Sequence, residues 1–204
     1  YAGKLSQLHQ HNTHVMRWGA PVEQWPGISI GCDNFSGGQS VTRHLLSHDY
    51  RSFAFIGDIG DKAPEFQSRY DGFLSALDKH HTHHQYDAIS SEEAGIEAAK
   101  HLLETTSALP DAIVCAADII AVGVLQQLKE AGIRVPEDVA VVGFDNIQLA
   151  AFTTPGLTTV QQNTAQAGEK LVENLLLAID GHPTDDHLLP TNLVVRQSCG
   201  CDIK

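Results

Sequence analysis

The stretch that decides the fold is "VAVVGFDN" (139–146), an apolar run that ends in Gly-x-Asp-Asn. A similar phrase, "ISIGCDN" (28–34), stands much earlier in the chain. Short runs that are apolar on both faces are typical of parallel strands covered by helices. In open α/β sheets, ligands bind outside the carboxyl ends of such strands. Asp33 and Asp145 therefore mark two binding edges, which predicts two lobes.

Strand-like and helix-like segments alternate along the whole chain. Phe66, Tyr70 and Phe73 lie on one helical stripe, the next helix opens at Ser90 with capping-box spacing, and a third ends at Gly132. A last long helix begins near residue 163. This order predicts right-handed βαβ crossovers and a doubly wound parallel sheet. The predicted strands cover residues 14–16, 28–32, 53–57, 112–116, 139–144 and 192–195.

Composition excludes two classes of protein. At 204 residues the chain has room for one domain or for two small lobes, and 42% of it is hydrophobic. No apolar run approaches the roughly 20 residues that a membrane helix needs, so a membrane span is excluded. The net charge of −12 argues that this segment does not grip nucleic acid by itself. Any DNA contact must come from elsewhere.

The four cysteines show neither the density nor the spacing of a disulfide framework, which is typical of free thiols in a reducing cytosol. The Cys199-Gly-Cys201 pair could hold a metal or be redox active, but idle surface thiols are the favoured interpretation. We therefore predict no metal site and no cofactor. The opening "YAGKLSQLHQ" (1–10) lacks an initiator Met and a signal sequence, so we expect a chain cut out of something longer.

Two motifs resemble catalytic or metal-binding patterns but lack the local structure that those patterns need. "GISIG" (27–31) fits the nucleophile elbow of hydrolases, but Ser29 would lie inside a strand rather than on a strained turn, so a structural role is favoured. The histidine-rich "KHHTHHQ" (79–85) could hold a transition metal on a helix. Its histidines follow the last apolar position of the preceding helix, so a solvated loop is favoured. Neither motif predicts an enzyme.

Four longer segments, in order, resemble the effector-binding region of LacI/GalR-type bacterial repressors, and the resemblance covers about residues 28–198. The most specific part is the succession from Arg-Val-Pro-Glu-Asp-Val through Gly-Phe-Asp-Asn to Thr-Thr-Val-x-Gln. The segments are "CDNFSGGQSVTRHLLSHDYRSFAFIGD" (32–58), "SRYDGFLSALD" (68–78), "CAADIIAVGVLQQLKEAGIRVPEDVAVVGFDNIQLAAFTTPGLTTVQQ" (115–162) and "LLPTNLVVRQS" (188–198).

The resemblance implies a periplasmic-binding-protein-like α/β fold of two Rossmann-like lobes with parallel sheets, joined by three chain crossings. An effector would be held in the cleft between the lobes. Residues 1–50 and 162–187 would form a partial N-terminal lobe, and residues 51–161 and 188–204 the C-terminal lobe. The family's helix-turn-helix DNA-binding domain is absent from this sequence.

The same resemblance implies an effector site. Asp33 and Asp145 would accept hydrogen bonds from hydroxyls of one ligand, as charged acceptors do strongly. Arg69 matches the family's cleft-facing Arg-x-x-Gly-Phe, and its fork suits two ligand oxygens. Phe66 would stack on a sugar face and Gln162 would make a polar contact. The alternatives are a surface salt bridge for Arg69 and a plain core position for Phe66.

One position departs from the family pattern. Where relatives often carry an asparagine that contacts the ligand, this chain has Ala117, which weakens the transfer of any known sugar specificity. The next residue, Asp118, is either a helix N-cap or a cleft residue, and the cap is favoured.

We expect a sensing domain for a small molecule, a sugar or sugar derivative, in a LacI-type transcriptional repressor. It would be cytoplasmic, homodimeric and not an enzyme, and it would reach operator DNA through the missing N-terminal domain. The alternative is an extracytoplasmic sugar-binding receptor of the same fold.

Overall fold

The computed structural model describes residues 13–20, 27–60 and 63–201. The opening residues 1–10, on which the expectation of a longer protein rests, lie outside these ranges. Strands and helices alternate as predicted. In chain order they are β1 (Met16–Trp18), β2 (Ile28–Cys32), α1 (Asn34–Leu46), β3 (Ser52–Ile56), α2 (Pro64–Ala76), β4 (Thr82–Tyr86), α3 (Glu92–Thr105), β5 (Ala112–Cys115), α4 (Asp118–Glu130), β6 (Ala140–Asp145), β7 (Thr158–Gln162), α5 (Thr164–Ile179), β8 (His187–Leu189) and β9 (Thr191–Val194), with short 3-10 helices at Gln148–Ala151 and Gln197–Cys199.

The chain divides into two compact units. The smaller unit holds Tyr1–Asp33 and Gln162–Thr191, and the larger holds Asn34–Gln161 and Asn192–Lys204. In the smaller unit a parallel sheet of order β1-β2-β8 is covered by α5. The lobe boundaries that the resemblance implies, at residues 50 and 161, stay a prediction.

The larger unit is a six-stranded sheet of order β4-β3-β5-β6-β7-β9, and each neighbouring pair from β4 to β7 is parallel. Helix α2 connects β3 to β4 in one direction, whereas α3 and α4 lead to β5 and β6 in the other. Right-handed crossovers therefore place α1 and α2, which pack together, on one face and the pair α3 and α4 on the opposite face. The strand order reverses between β3 and β5, the kind of position where α/β sheets bind ligands.

Both faces of the central strands are covered, so these strands are apolar throughout. All four residues of β5 are buried, as are the first five residues of β6. Each helix pair packs backbone to backbone through glycines. A Cβ atom at Gly72 would collide with the Phe35 carbonyl, and one at Gly123 would collide with the Glu92 carbonyl. None of the helices in the described ranges has the length and apolar character that crossing a bilayer requires.

Local structure differs from the predictions in several elements. The histidine-rich segment forms the edge strand β4 rather than a loop, because an edge strand tolerates exposed polar residues on both faces. Strand β1 begins at Met16, two residues late, and Ser91 rather than Ser90 caps α3 by accepting from the Ala94 amide. Helix α1 and strands β7 and β8, which the patterns did not predict, complete the two sheets.

The glycine contacts predict opposite effects for two helical substitutions. Gly72→Ala should lower the free energy of unfolding by about 1–3 kcal/mol, because the new methyl overpacks the α1–α2 contact. Gly168→Ala, in α5, should raise it by about 0.5–1 kcal/mol, because open space surrounds Gly168 and alanine favours the helix. Urea unfolding followed by circular dichroism measures both. Equal effects of the two changes would contradict the close approach at Gly72.

Candidate functional site

A buried arginine stands at the carboxyl edge of the larger sheet. Arg69, on α2, is only 4% exposed. Its Nε donates to Asn34 Oδ1 at 2.8 Å, and its Nη1 donates to the Ala116 carbonyl at 2.5 Å. Nη1 also lies 3.2 Å from Asp145 Oδ1. The guanidinium thus joins the start of α1, the end of β5 and the end of β6, next to the reversal in strand order.

Two aromatic rings flank the same guanidinium. Its Cζ lies 3.9 Å from the centre of the Phe144 ring and 5.4 Å from that of Phe66. A cation over a ring face is attracted by the ring quadrupole, more so where water is excluded. The arginine is therefore held in place by the protein itself, whereas 29% of the Asp145 side chain stays exposed. This arrangement offers a fixed donor beside an accessible acceptor.

The turn after β6 has an unusual backbone. Asp145 and Asn146 have φ values of 111° and 52°, which side-chain-bearing residues rarely adopt. The Asn146 amide donates to Thr159 Oγ1 at 3.2 Å, and Arg196 Nη2 donates to Asn146 Oδ1 at 2.8 Å. These contacts, from β7 and from the segment after β9, hold the turn that aims the Asp145 carboxylate.

The buried carboxylate of Asp118 holds this turn through hydrogen bonds. Its carboxylate is fully buried and accepts from Thr159 Oγ1 at 2.6 Å and from the Ile147 amide at 2.8 Å. A Cβ atom at Gly143 would collide with Asp118 Oδ1, so the glycine of the Gly-x-Asp-Asn motif makes room for this carboxylate. The motif thus supplies Asp145 to the candidate site and also makes room for Asp118, which holds the turn after β6.

The expectation that Asp118 caps its own helix is wrong. Ala117 occupies the N-cap position of α4, and the Asp118 carboxylate bonds to the loop after β6 instead. Burial raises the pKa of Asp118 to about 6, because an apolar environment penalises the charged form more than the hydrogen bonds from Thr159 and Ile147 favour it.

The structure brings three of the five predicted site residues together: Phe66, Arg69 and Asp145. The other two belong to the smaller unit. Asp33 directly follows β2, and its amide donates to the Leu189 carbonyl at 2.8 Å. Gln162 is the last residue of β7. The alternative of a surface salt bridge for Arg69 is wrong, because Arg69 is buried.

Three contributors were missed by the sequence patterns: Asn34, Phe144 and Arg196. Asn34 and Phe144 lie within the two repeated phrases, and no signal beyond their place in those phrases distinguishes them. Arg196 stands in the "VRQS" ending, and nothing local indicates that it would reach Asn146 across 50 residues of sequence.

The architecture defines the class of protein as a parallel α/β ligand-binding fold, and comparison with known proteins gives the family. Residues 42–199 match the periplasmic binding protein-like domain. The chain therefore belongs to the family of periplasmic binding protein-like domains. This membership confirms the α/β, periplasmic-binding-protein-like fold class.

The relatives are repressors. The chain is 33% identical to the HTH-type transcriptional repressor PurR of Glaesserella parasuis serovar 5 (strain SH0165) over 172 residues, 82% of this chain and 49% of the relative. It is 34% identical to the HTH-type transcriptional repressor MelR of Bacillus subtilis (strain 168) over 187 residues, 86% of this chain and 54% of the relative. The chain thus spans about half the length of these curated relatives.

A solved structure agrees. A LacI family transcriptional regulator from Enterococcus faecium, crystallised with bound ribose, is similar with a TM-score of 0.86 and 25% identity, over 95% of this chain and 73% of that one. The resemblance to the effector-binding region of LacI-type repressors is confirmed. These relatives are transcriptional regulators rather than enzymes.

The raised pKa of Asp118 predicts a stability change with pH. Since the folded state holds this proton more tightly than the unfolded state, the free energy of unfolding falls as pH rises from about 4 through about 6. Asp118→Asn removes that titration. Relative to wild type, the variant should gain about 2 kcal/mol between pH 4 and pH 7, measured by urea unfolding across the pH series.

Asp138→Asn is the matched control. Asp138 pairs with Arg134, and the hydrogen bonds from Arg134 lower the pKa of Asp138 to about 2. The difference in the free energy of unfolding between Asp138→Asn and wild type should therefore stay constant over the same pH range. A constant difference between Asp118→Asn and wild type would contradict the raised pKa.

Proposed function

We propose that this chain is the effector-sensing domain of a LacI-type transcriptional repressor, and that a sugar or sugar derivative binds at Arg69. The observation that carries the proposal is the buried, pre-oriented Arg69 beside the partly exposed side chain of Asp145. It lies at the reversal in strand order of a chain whose relatives are repressors. Ribose in the Enterococcus faecium regulator supports the carbohydrate class.

The chemistry of the pair suits a polyol. Sugar hydroxyls both donate and accept hydrogen bonds, so a guanidinium and a carboxylate 3.2 Å apart recognise neighbouring hydroxyls with opposite polarity. Phe66 adds an apolar ring for the less polar face of a sugar ring. Asp33 and Gln162 belong to the proposed site through the family resemblance. Because Arg69 is already held by Asn34 and Ala116, little ordering is needed when ligand binds.

The proposal includes no catalysis. The hydrolase motif places Ser29 inside β2, where only 1% of the residue is exposed. A nucleophile elbow holds its serine on a strained turn between a strand and a helix, so a position inside a strand argues against that role. We also propose that the protein is a cytoplasmic homodimer that binds operator DNA through helix-turn-helix domains. The two-fold symmetry of a dimer matches an operator with two half-sites. The extracytoplasmic receptor is the weaker alternative, because the relatives are regulators.

Regulation then follows from linkage. An effector that binds two conformations of the protein unequally shifts the balance between them by that difference in affinity and by no more. Ligand contacts to Asp145 therefore have two effects. They contribute to effector affinity, and they act on the turn that Asp118 and Arg196 hold.

A thermal-shift screen identifies the effector class. The panel holds pentoses, hexoses, sugar acids, sugar phosphates and nucleosides, and a ligand at 100 times its dissociation constant should add about 2.7 kcal/mol of stability. Asp145→Asn should weaken binding of a hit by roughly ten- to a hundredfold, because a hydrogen bond to a charged acceptor is worth about 1.5–3 kcal/mol. Arg69→Lys should weaken it similarly, because an ammonium lacks the planar fork.

The exposed pair Arg134 and Asp138 provides matched controls. Arg134→Lys and Asp138→Asn make the same chemical changes elsewhere in the larger unit, so both should leave binding unaltered. Isothermal titration of the hit against all four variants compares the affinities. Unchanged affinity in both Asp145→Asn and Arg69→Lys would show that the site does not lie at Arg69. A hit among the nucleosides with no hit among the sugars, sugar acids and sugar phosphates would overturn the sugar class.

A further inference from the structure

A second cluster of chemically active side chains lies at the other end of α1 from Asn34. It consists of His44 in the last turn of α1, His48 in the turn after that helix, and Cys199 and Cys201 near the end of the described chain. One ring nitrogen from each histidine and the two sulfurs all lie within 4.8 Å of one another. All four residues belong to the larger unit. The candidate effector site uses none of them.

Three nitrogen–sulfur distances in the cluster are close to those around a four-coordinate zinc ion. Nε2 of His44 lies 3.3 Å from the Cys199 sulfur and 3.7 Å from the Cys201 sulfur, and Nε2 of His48 lies 3.3 Å from the Cys201 sulfur. Zn–S and Zn–N bonds of about 2.3 and 2.0–2.1 Å at a tetrahedral angle place nitrogen and sulfur about 3.6 Å apart. The observed separations bracket that value. These three pairs of atoms are therefore close to the spacing that a shared tetrahedral ion would impose.

Hydrogen bonds between thiols and imidazoles do not account for the whole cluster. A ring nitrogen offers either one N–H or one lone pair, so it serves one sulfur at a time. Yet His44 Nε2 lies close to two sulfurs. The Cys199 thiol also donates to the Arg196 carbonyl at 3.3 Å, a bond that a zinc-bound thiolate would give up. A metal ion would bind all four ligand atoms at once, which no set of pairwise hydrogen bonds does.

The local backbone brings the two cysteines to the histidines. Gly200, between them, has a φ of 91°, a conformation that favours glycine. A Cβ atom there would lie 2.7 Å from the Tyr50 hydroxyl, which donates to the Cys199 carbonyl at 3.2 Å. The Tyr50 ring also stacks on His48, with centroids 5.6 Å apart. Tyr50 thus orients both halves of the cluster, as groups around metal ligands commonly do.

We propose that His44, His48, Cys199 and Cys201 form a tetrahedral, structural zinc site that joins the end of α1 to the segment after β9. Two thiolates and two imidazoles are a ligand set that zinc prefers. The protein supplies all four ligands, which leaves no open position for a substrate, so the role is structural. The expectation of idle surface thiols is wrong for Cys199, because its side chain is fully buried.

Metal analysis of the full chain tests the proposal. Purified under reducing conditions, exposed to zinc and dialysed against zinc-free buffer, the unsubstituted chain should retain about one zinc per molecule. Replacement by Co²⁺ should give the intense visible absorption of a tetrahedral ion and a thiolate charge-transfer band. Cys199→Ser and His48→Asn should each reduce the retained zinc to background. The matched controls Cys32→Ala and His80→Asn change a cysteine and a histidine outside the cluster and should retain the full amount.

Any one of four results would overturn the site. They are no retained zinc in the unsubstituted chain, an octahedral Co²⁺ spectrum, full zinc retention in both ligand variants, and a disulfide between Cys199 and Cys201 in the reduced preparation. The Co²⁺ spectrum needs no substitution, so it decides the question even if Cys199→Ser fails to fold.

Discussion

Burial of the Arg69 guanidinium is the constraint on which the candidate site depends. A charge removed from water is costly unless it is paired and hydrogen-bonded. Arg69 meets that demand through Asn34, the Ala116 carbonyl and Asp145, under the ring of Phe144. The start of α1 and the ends of β5 and β6 must therefore stay close together. Any ligand that interacts with Asp145 acts on a network that the fold already requires.

The two Gly-x-Asp-Asn phrases look equivalent in the sequence but contribute different atoms. The first supplies Asn34, which accepts from Arg69, and the second supplies Asp145, which pairs with it. Their glycines also differ, since Gly143 makes room for the Asp118 carboxylate, whereas a Cβ at Gly31 would meet the Gly19 carbonyl. The repeat therefore reflects a shared position, the carboxyl end of a buried parallel strand, rather than a shared function.

Prediction succeeded where the signal was local. Strands β5 and β6 are continuously apolar because helices cover both faces, and α5 begins at Thr164, next to the predicted start near residue 163. Prediction failed for β4, whose exposed His83 and His84 carry no apolar pattern and whose pairing with β3 alone makes it a strand. Asp118 failed for a related reason: its residue type suits a helix cap, yet its partner is Ile147, in another segment.

The amino-acid sequence alone determined the fold class, the family resemblance and the candidates Phe66, Arg69 and Asp145, because periodicity and motif spacing are properties of neighbouring residues. Tertiary structure alone decided which polar groups meet. Asn34 reaches Arg69 across 35 residues, and His44 reaches Cys199 across 155. Such contacts form only when strand order and helix packing bring distant segments together, so no local pattern encodes them. The spacing of residues pairs Cys199 with Cys201, but only the folded chain brings this pair to His44 and His48.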